Sequence, residues 1–190
     1  MFMIDWPKIK VIVLDRDGVI NHDSDAYIKS VDEWIPISGS LQAIADLNKN
    51  FKVAIATNQS GIGRGFYDEK VLHQMHDKMS AMLNDKGGKI DFIEFCPHHP
   101  DDGCDCRKPK TLMLENIAAY FDVDPREMLF VGDSKSDFEC AQNFDCNFIL
   151  VLTGKGLKTL EQLASKTLIV EKSLQSTSEG VFNGLLQKQV

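Results

Sequence analysis

Short apolar runs alternate along this chain with longer helical stretches, and that alternation restricts the fold more than any other feature. Lys10 to Leu14, Phe51 to Ala56, Ile90 to Phe95, Met128 to Val131 and Phe148 to Leu152 read as strands. Gly39 to Asn48, Asp68 to Leu83, Thr111 to Phe121 and Lys135 to Asn143 read as helices. The second of these begins at Asp68, a side chain suited to an N-cap, and places Val71, Leu72, Met75, Met79, Met82 and Leu83 on one side. Beyond residue 152 the pattern weakens. It predicts a helix over Leu157 to Ala164, a short strand over Thr167 to Val170 and a last helix over Gly180 to Lys188, with Ser173 to Gly180 as a mobile segment. Repeated βα units predict an α/β fold, a doubly wound and mostly parallel sheet with helices on both faces. At 190 residues the chain reads as one domain, 1–190, large enough for a proper core.

Ligands of such sheets bind beyond the carboxyl ends of the strands. Asp15, Thr57 and Asp133 all fall at such ends. The first strand, Val11-Ile12-Val13-Leu14, runs straight into Asp15-Arg16-Asp17-Gly18. Two carboxylates at i, i+2 suit phosphoryl transfer. One attacks phosphorus, the other handles protons, and a bound Mg²⁺ neutralises the cluster. Two solvated aspartates at a polar strand end are the plain alternative. By the same standard Thr57, Asp133 and Asp137 are helix caps and Lys108 is a surface lysine.

The net charge of −7 argues against general nucleic-acid binding, which needs a basic footprint. It leaves room for a small anion, because a metal and a few Lys or Arg reverse the sign inside one cleft. No run of 18 apolar residues exists and the first residues lack the features of a signal peptide, so the expectation is a cytoplasmic protein with no membrane partner.

Three of the five cysteines fall within eleven residues, in Cys96-Pro97-His98-His99-Pro100-Asp101-Asp102-Gly103-Cys104-Asp105-Cys106. Cys96, His98, Cys104 and Cys106 supply the ligand set of a closed tetrahedral Zn²⁺ site, with His99 as the alternative to His98. Free thiols are the plain reading of the same loop. Three thiolates and an imidazole leave no open position, so the zinc loop, 96–106, would be structural and would stiffen the approach to Arg107-Lys108.

Four motifs in order carry a resemblance. Asp15-x-Asp17-Gly18, Thr57-Asn58-Gln59-Ser60-Gly61, Arg107-Lys108-Pro109 and Gly132-Asp133-x-x-x-Asp137 resemble the haloacid-dehalogenase (HAD) phosphatases, with their Rossmann-like fold. The resemblance implies Asp15 as nucleophile, Asp17 as general acid and base, and Thr57 and Lys108 on the transferring phosphoryl group. It implies Mg²⁺ on Asp15, Asp133 and the backbone carbonyl of Asp17, with Asp137 orienting the site or reaching the metal through water. The Cys-Pro-His-His-Pro loop, Asp-Arg-Asp-Gly-Val-Ile-Asn and Thr-Asn-Gln-Ser-Gly-Ile-Gly-Arg-Gly are similar to a narrower group, the D-glycero-D-manno-heptose 1,7-bisphosphate 7-phosphatases and related histidinol-phosphatases. That implies a small sugar bisphosphate as substrate, with histidinol phosphate as the alternative, on the route to nucleotide-activated heptose for lipopolysaccharide core or surface layers. Arg107 would hold the distal phosphate. Asp23, Ser24, Asp25 and Tyr27 would contact sugar hydroxyls, Asn58, Gln59 and Ser60 would lie at the entrance, and Arg64 is a further basic candidate. The short spacings between motifs imply a minimal cap, and the expectation is a monomer.

Overall fold

The computed structural model describes residues 4–163, 166 and 168–186. Its sheet has six parallel strands, as the alternation predicts: β1 (Val11–Leu14), β2 (Lys52–Asn58), β3 (Phe92–Cys96), β4 (Met128–Gly132), β5 (Asn147–Val151) and β6 (Ile169–Glu171). Their order is β3-β2-β1-β4-β5-β6. The chain winds outward from β1 on one side, then returns to β4 on the other, so the switch point lies between β1 and β4. The helices are α1 (Ser40–Leu47), α2 (Ser60–Gly63), α3 (Glu69–Asn84), α4 (Leu112–Phe121), α5 (Lys135–Phe144), α6 (Gly156–Gln162) and α7 (Leu174–Leu186).

Strand periodicity sorts the core into two layers. Ile12 and Leu14, with Val53, Ile55, Leu129 and Val131, pack under Ile44 and Leu47 of α1, Leu72, Met75 and Met79 of α3, and Leu174 of α7. Val11 and Val13, with Ala54, Ala56, Met128 and Phe130, pack against Met113, Leu114 and Ile117 of α4 and Cys140 and Ala141 of α5. All four β1 residues are fully buried, which fixes the depth and aim of the residues that follow them. As expected, Asp68 caps α3, its carboxylate accepting from Val71 N at 2.9 Å.

Between β1 and α1 the chain makes a flap. Its base is paired through His22 N to Ile35 O and Ile37 N to Ile20 O. Trp34 is fully buried beneath it, and Lys78 of α3 donates to the carbonyls of Val31 and Trp34, both at 2.8 Å. The flap is therefore pinned to the core rather than free.

One sequence expectation needs correction, and one element went unpredicted. The mobile segment expected over Ser173 to Gly180 is largely the start of α7, which packs on α1 with Leu174, Thr177, Ser178 and Val181 buried. Its polar composition misleads because the hydroxyls bond the helix's own backbone, Thr177 Oγ1 and Ser176 Oγ to Ser173 O and Ser178 Oγ to Gln175 O. The short helix α2, directly after β2, carries no periodic signal. Ala164, Thr167, Gln187 and Lys188, named in the expected elements, lie outside the described residues. No helix among the described residues is long and apolar enough to cross a membrane.

Candidate active site

β1 and β4 deliver Asp15 and Asp133 on either side of the switch point. Arg16 N donates to Asp15 Oδ1 at 2.8 Å. Lys108, 3% exposed, reaches in from the loop after β3, and its ammonium contacts Asp15 Oδ1 at 3.0 Å, Asp137 Oδ1 at 2.6 Å and the Ala56 carbonyl at 2.8 Å. Burial opposes that charge, but the Asp137 and Asp15 carboxylates outweigh it and hold Lys108 protonated. Its backbone is clamped by the Asn58 amide, which donates to Lys108 O and accepts from Lys108 N. Asp137, fully buried, takes Ser134 N and Oγ on its other oxygen, so it orients Lys108.

Asp15, Asp133 and Asp137 each place a carboxylate oxygen within 4.8 Å of the others. Burial, then the Asp137 charge, pushes Asp15 up to about 7 and Asp133 up to about 8. Three buried carboxylates face one ammonium, a surplus of negative charge on hard oxygen donors, and that donor set fits Mg²⁺. Asp133 Oδ2 also accepts from Lys155 N at 2.7 Å. It sits so close to the chain that a Cβ on Gly18 or Gly154, both at positive φ, would overlap it.

Asp17 is held differently. Burial raises its pKa, but the adjacent Arg16 guanidinium and bonds from Asn21 and Gln59 prevail and keep its carboxyl below the usual range. Arg16 Nε and Nη2 lie 3.0–3.2 Å from it, Asn21 Nδ2 at 2.7 Å and Gln59 Nε2 at 2.9 Å. Gln59 Nε2 also donates to Thr57 Oγ1 at 2.9 Å.

A cavity of about 360 Å³ opens over these groups. Asp15, Asp17, Thr57, Lys108 and Asp133 line it, together with Asp23, Ser24, Asp25, Tyr27, Asn58, Gln59, Ser60, Arg64 and Arg107. The structure thus brings together the residues the motifs single out from five separate segments. Arg107 Nη1 is buried there with no hydrogen-bond partner among the described residues. Arg64 lies over the Tyr27 ring, 5.8 Å from its centroid.

Beside the cavity, Cys96 Sγ lies 3.5 Å from Cys104 Sγ and 3.7 Å from His98 Nδ1, which is 3.2 Å from Cys106 Sγ. Tetrahedral zinc, about 2.3 Å from sulfur and about 2.0 Å from nitrogen, needs ligand atoms roughly 3.5–3.8 Å apart. The donor set fits. His99 points elsewhere, its Nδ1 accepting from Asp101 N in the next turn. The loop also grips α2, through Gln59 N to Cys96 O and Gly63 N to Pro97 O, both 2.8 Å.

Residues 105–176 match the HAD-hydrolase-like family model. The D-glycero-beta-D-manno-heptose-1,7-bisphosphate 7-phosphatase of Pseudomonas aeruginosa is 53% identical over 163 residues, 85% of this chain and 92% of that protein. The chain belongs to the D-glycero-D-manno-heptose-1,7-bisphosphate 7-phosphatase family. The solved structure of the D,D-heptose 1,7-bisphosphate phosphatase from Bordetella bronchiseptica, complexed with magnesium and phosphate, superposes with a TM-score of 0.88 at 48% identity, covering 95% of this chain and 99% of that one. The alpha-anomer enzyme of Campylobacter jejuni is 38% identical over 146 residues, 76% of this chain and 83% of that protein.

For this member of the heptose-bisphosphate phosphatase family, the cavity residues Ile28, Tyr67, Ser134, Ser136 and Lys155 escape the motif reading. Tyr67 and Ser136 carry no local signal. Lys155 lies in the loop after β5, beyond the carboxyl end of that strand.

The carboxylate cluster sets a pH dependence. Without a cation, Asp15 and Asp133 have raised pKa values, so their contribution to stability is full below about pH 4 and lost as the pH climbs toward 7–8. Mg²⁺ has to displace those protons, so its affinity should rise from pH 5 to 8, by up to about tenfold per pH unit for each proton displaced. Titration calorimetry at several pH values checks this; a flat affinity would mean that these carboxylates are not its ligands.

Proposed function

We propose that this chain is a Mg²⁺-dependent phosphatase that removes the 7-phosphate of D-glycero-β-D-manno-heptose 1,7-bisphosphate and keeps the 1-phosphate. The observation that carries it is the pairing, in one cavity, of Asp15 held beside Lys108 and Asp133 with a buried, unpartnered Arg107 nitrogen. The beta anomer follows the named activity of the Pseudomonas aeruginosa relative. The place proposed for it is the supply of nucleotide-activated heptose for lipopolysaccharide core or surface layers.

Asp15, Asp133 and the backbone carbonyl of Asp17 would hold Mg²⁺, which when bound screens the phosphate from the nucleophile and stabilises the charge of the transition state. Asp15 attacks phosphorus through a carboxylate oxygen, and the bond from phosphorus to the C7 oxygen breaks. Lys108 balances charge on Asp15 and on the equatorial oxygens, and Thr57 Oγ1 donates to one of them. Asp17 gives its proton to the leaving alkoxide. Asp17 is anionic at rest, so that proton enters with the substrate, whose phosphate monoester has a second pKa of about 6. Asp17 then takes a proton from water as that water attacks the aspartyl phosphate. The phosphorus–oxygen bond to Asp15 breaks and inorganic phosphate leaves.

Cys96, His98, Cys104 and Cys106 would hold a structural Zn²⁺. Asp23, Ser24, Asp25 and Tyr27 would meet the sugar, with Asn58 and Ser60 at the entrance. Thiolate ligands suit a reducing compartment, and the proposal places the enzyme in the cytoplasm. One chain supplies every group, so a single-domain monomer is sufficient.

Phosphate release from both heptose bisphosphate anomers and from histidinol phosphate tests the reading. Preference for the beta bisphosphate is expected; preference for histidinol phosphate would overturn it. A monophosphate gives Arg107 nothing to hold, so Arg107→Ala should lower kcat/KM for the bisphosphate by about 10–100-fold, the worth of a charge-assisted bond. A heptose 7-phosphate lacking the 1-phosphate should change by less than about threefold. Equal losses would remove Arg107 from the distal phosphate.

A further inference from the structure

Gln59 lines the cavity, yet its amide is fully engaged inside the protein. Its Nε2 donates to Asp17 Oδ2 and to Thr57 Oγ1, both at 2.9 Å. Its Oε1 accepts from Arg16 Nη2 at 3.0 Å and from Tyr67 OH at 2.6 Å. Four bonds use both protons and both lone pairs, leaving none for a substrate. The side chain is 3% exposed, so this arrangement is built into the fold.

We propose that Gln59, oriented by Tyr67, is a positioning residue that aims Asp17 at the leaving-group oxygen, rather than a contact for substrate. An amide has two ends, and only one orientation presents N–H to Asp17. Two donors on Oε1, the Tyr67 hydroxyl and the Arg16 guanidinium, select that orientation. Burial pushes the Tyr67 hydroxyl up to about 12, so it keeps the proton it donates at any working pH. Gly61 makes the approach possible, because a Cβ there would overlap the Tyr67 ring. Arg16 and Asn21 fix the other Asp17 oxygen, and Arg16 Nη2 also reaches Oδ2 at 3.0 Å, so the carboxylate is held at both oxygens with Gln59 as one of its anchors. Thr57 takes its bond as an acceptor from the same Nε2, which leaves its own proton free for a phosphoryl oxygen.

This inference rests on the reading of Asp17 as acid and base, and leaving-group chemistry separates the two. An alkoxide needs a proton to depart, whereas p-nitrophenolate does not. The value of kcat/KM reports steps up to formation of the aspartyl phosphate, so a group that serves the acid matters there only for the alkyl substrate. The variants are Tyr67→Phe, which removes one hydroxyl, and Gln59→Met, which keeps the length of the side chain and removes the amide. Both are compared with wild type and Asp17→Asn on heptose 1,7-bisphosphate and on p-nitrophenyl phosphate.

For Gln59→Met, kcat/KM on the bisphosphate is expected to fall about 100-fold, within the range of acid–base catalysis, and on the aryl phosphate less than about threefold. For Tyr67→Phe the bisphosphate value falls about tenfold, the worth of one hydrogen bond, again with little change on the aryl ester. Losses shared equally by both substrates, or confined to KM for the bisphosphate, would overturn the proposal. If Asp17→Asn itself shows no selectivity between the two esters, the acid–base reading falls and the proposal with it.

Discussion

Asp15→Asn should lower kcat by about 10⁴-fold or more and abolish transfer of phosphate to the protein, with no loss of thermal stability in the absence of Mg²⁺. The first half follows from covalent catalysis. An amide oxygen is a far poorer nucleophile than a carboxylate, and without the aspartyl phosphate the reaction reverts to one difficult displacement. The second half follows from burial. Asp15 stands 3.0 Å from Lys108 but shares its site with Asp133 and Asp137, and burial with the Asp137 charge pushes it up to about 7. A neutral amide of the same shape removes one carboxylate from an over-charged cluster, so the metal-free fold does not suffer. Rapid quench with radiolabelled substrate and calorimetric melting read the two halves separately. Substantial turnover by Asp15→Asn would place the nucleophile elsewhere. A large drop in melting temperature would mean that the Asp15–Lys108 pair holds the fold together.

The same asymmetry explains what a reader of the sequence sees. Strand ends are legible because a fully buried run such as Val11 to Leu14 can only stop where polar groups begin, and Asp15, Thr57 and Asp133 stand at those stops. The roles of neighbouring polar residues are less legible. Asn58 and Gln59 look like substrate contacts because they follow Thr57, yet Asn58 clamps the backbone of Lys108, fifty positions away in the chain, and Gln59 spends its amide on Asp17, Thr57, Arg16 and Tyr67. No local pattern encodes a bond across such a separation. His98 and His99 illustrate the limit most simply. They share a side chain and adjoin in sequence, and only the backbone's turn into Pro100–Asp102 sends one toward the cysteines and the other to cap that turn.

Removal of the proposed zinc should weaken catalysis strongly, though less than loss of the nucleophile does, and should lower stability as well. The segment from Cys96 to Lys108 crosses from β3 to the active site with one short turn of 3₁₀ helix, Pro100–Asp102, and between its two buried ends no residue is fully buried. It has too little apolar burial to hold its own shape. Desolvation and the Cys96 and Cys104 sulfurs push the Cys106 thiol up to about 12, whereas hydrogen bonds outweigh burial and pull Cys104 below the usual thiol range, so without a cation the cluster does not hold three thiolates. Structural zinc in small domains is worth an apparent ~10–16 kcal/mol at neutral pH; if only ~3 kcal/mol of that reaches the fold here, melting falls by about 6–12 °C. Cys104→Ser should therefore lose bound zinc, melt lower, and lose about 100-fold in kcat, because Lys108 then keeps the Asn58 clamp, the Ala56 carbonyl and its carboxylate partners but not the stiffened loop that delivers it. Chelated wild type should regain activity on addition of Zn²⁺, whereas Mg²⁺ alone should not restore it, and Cys104→Ser should respond to neither. A variant free of zinc by elemental analysis that retains full kcat would show that Lys108 finds its place without the loop, and the link between metal and catalysis would be withdrawn.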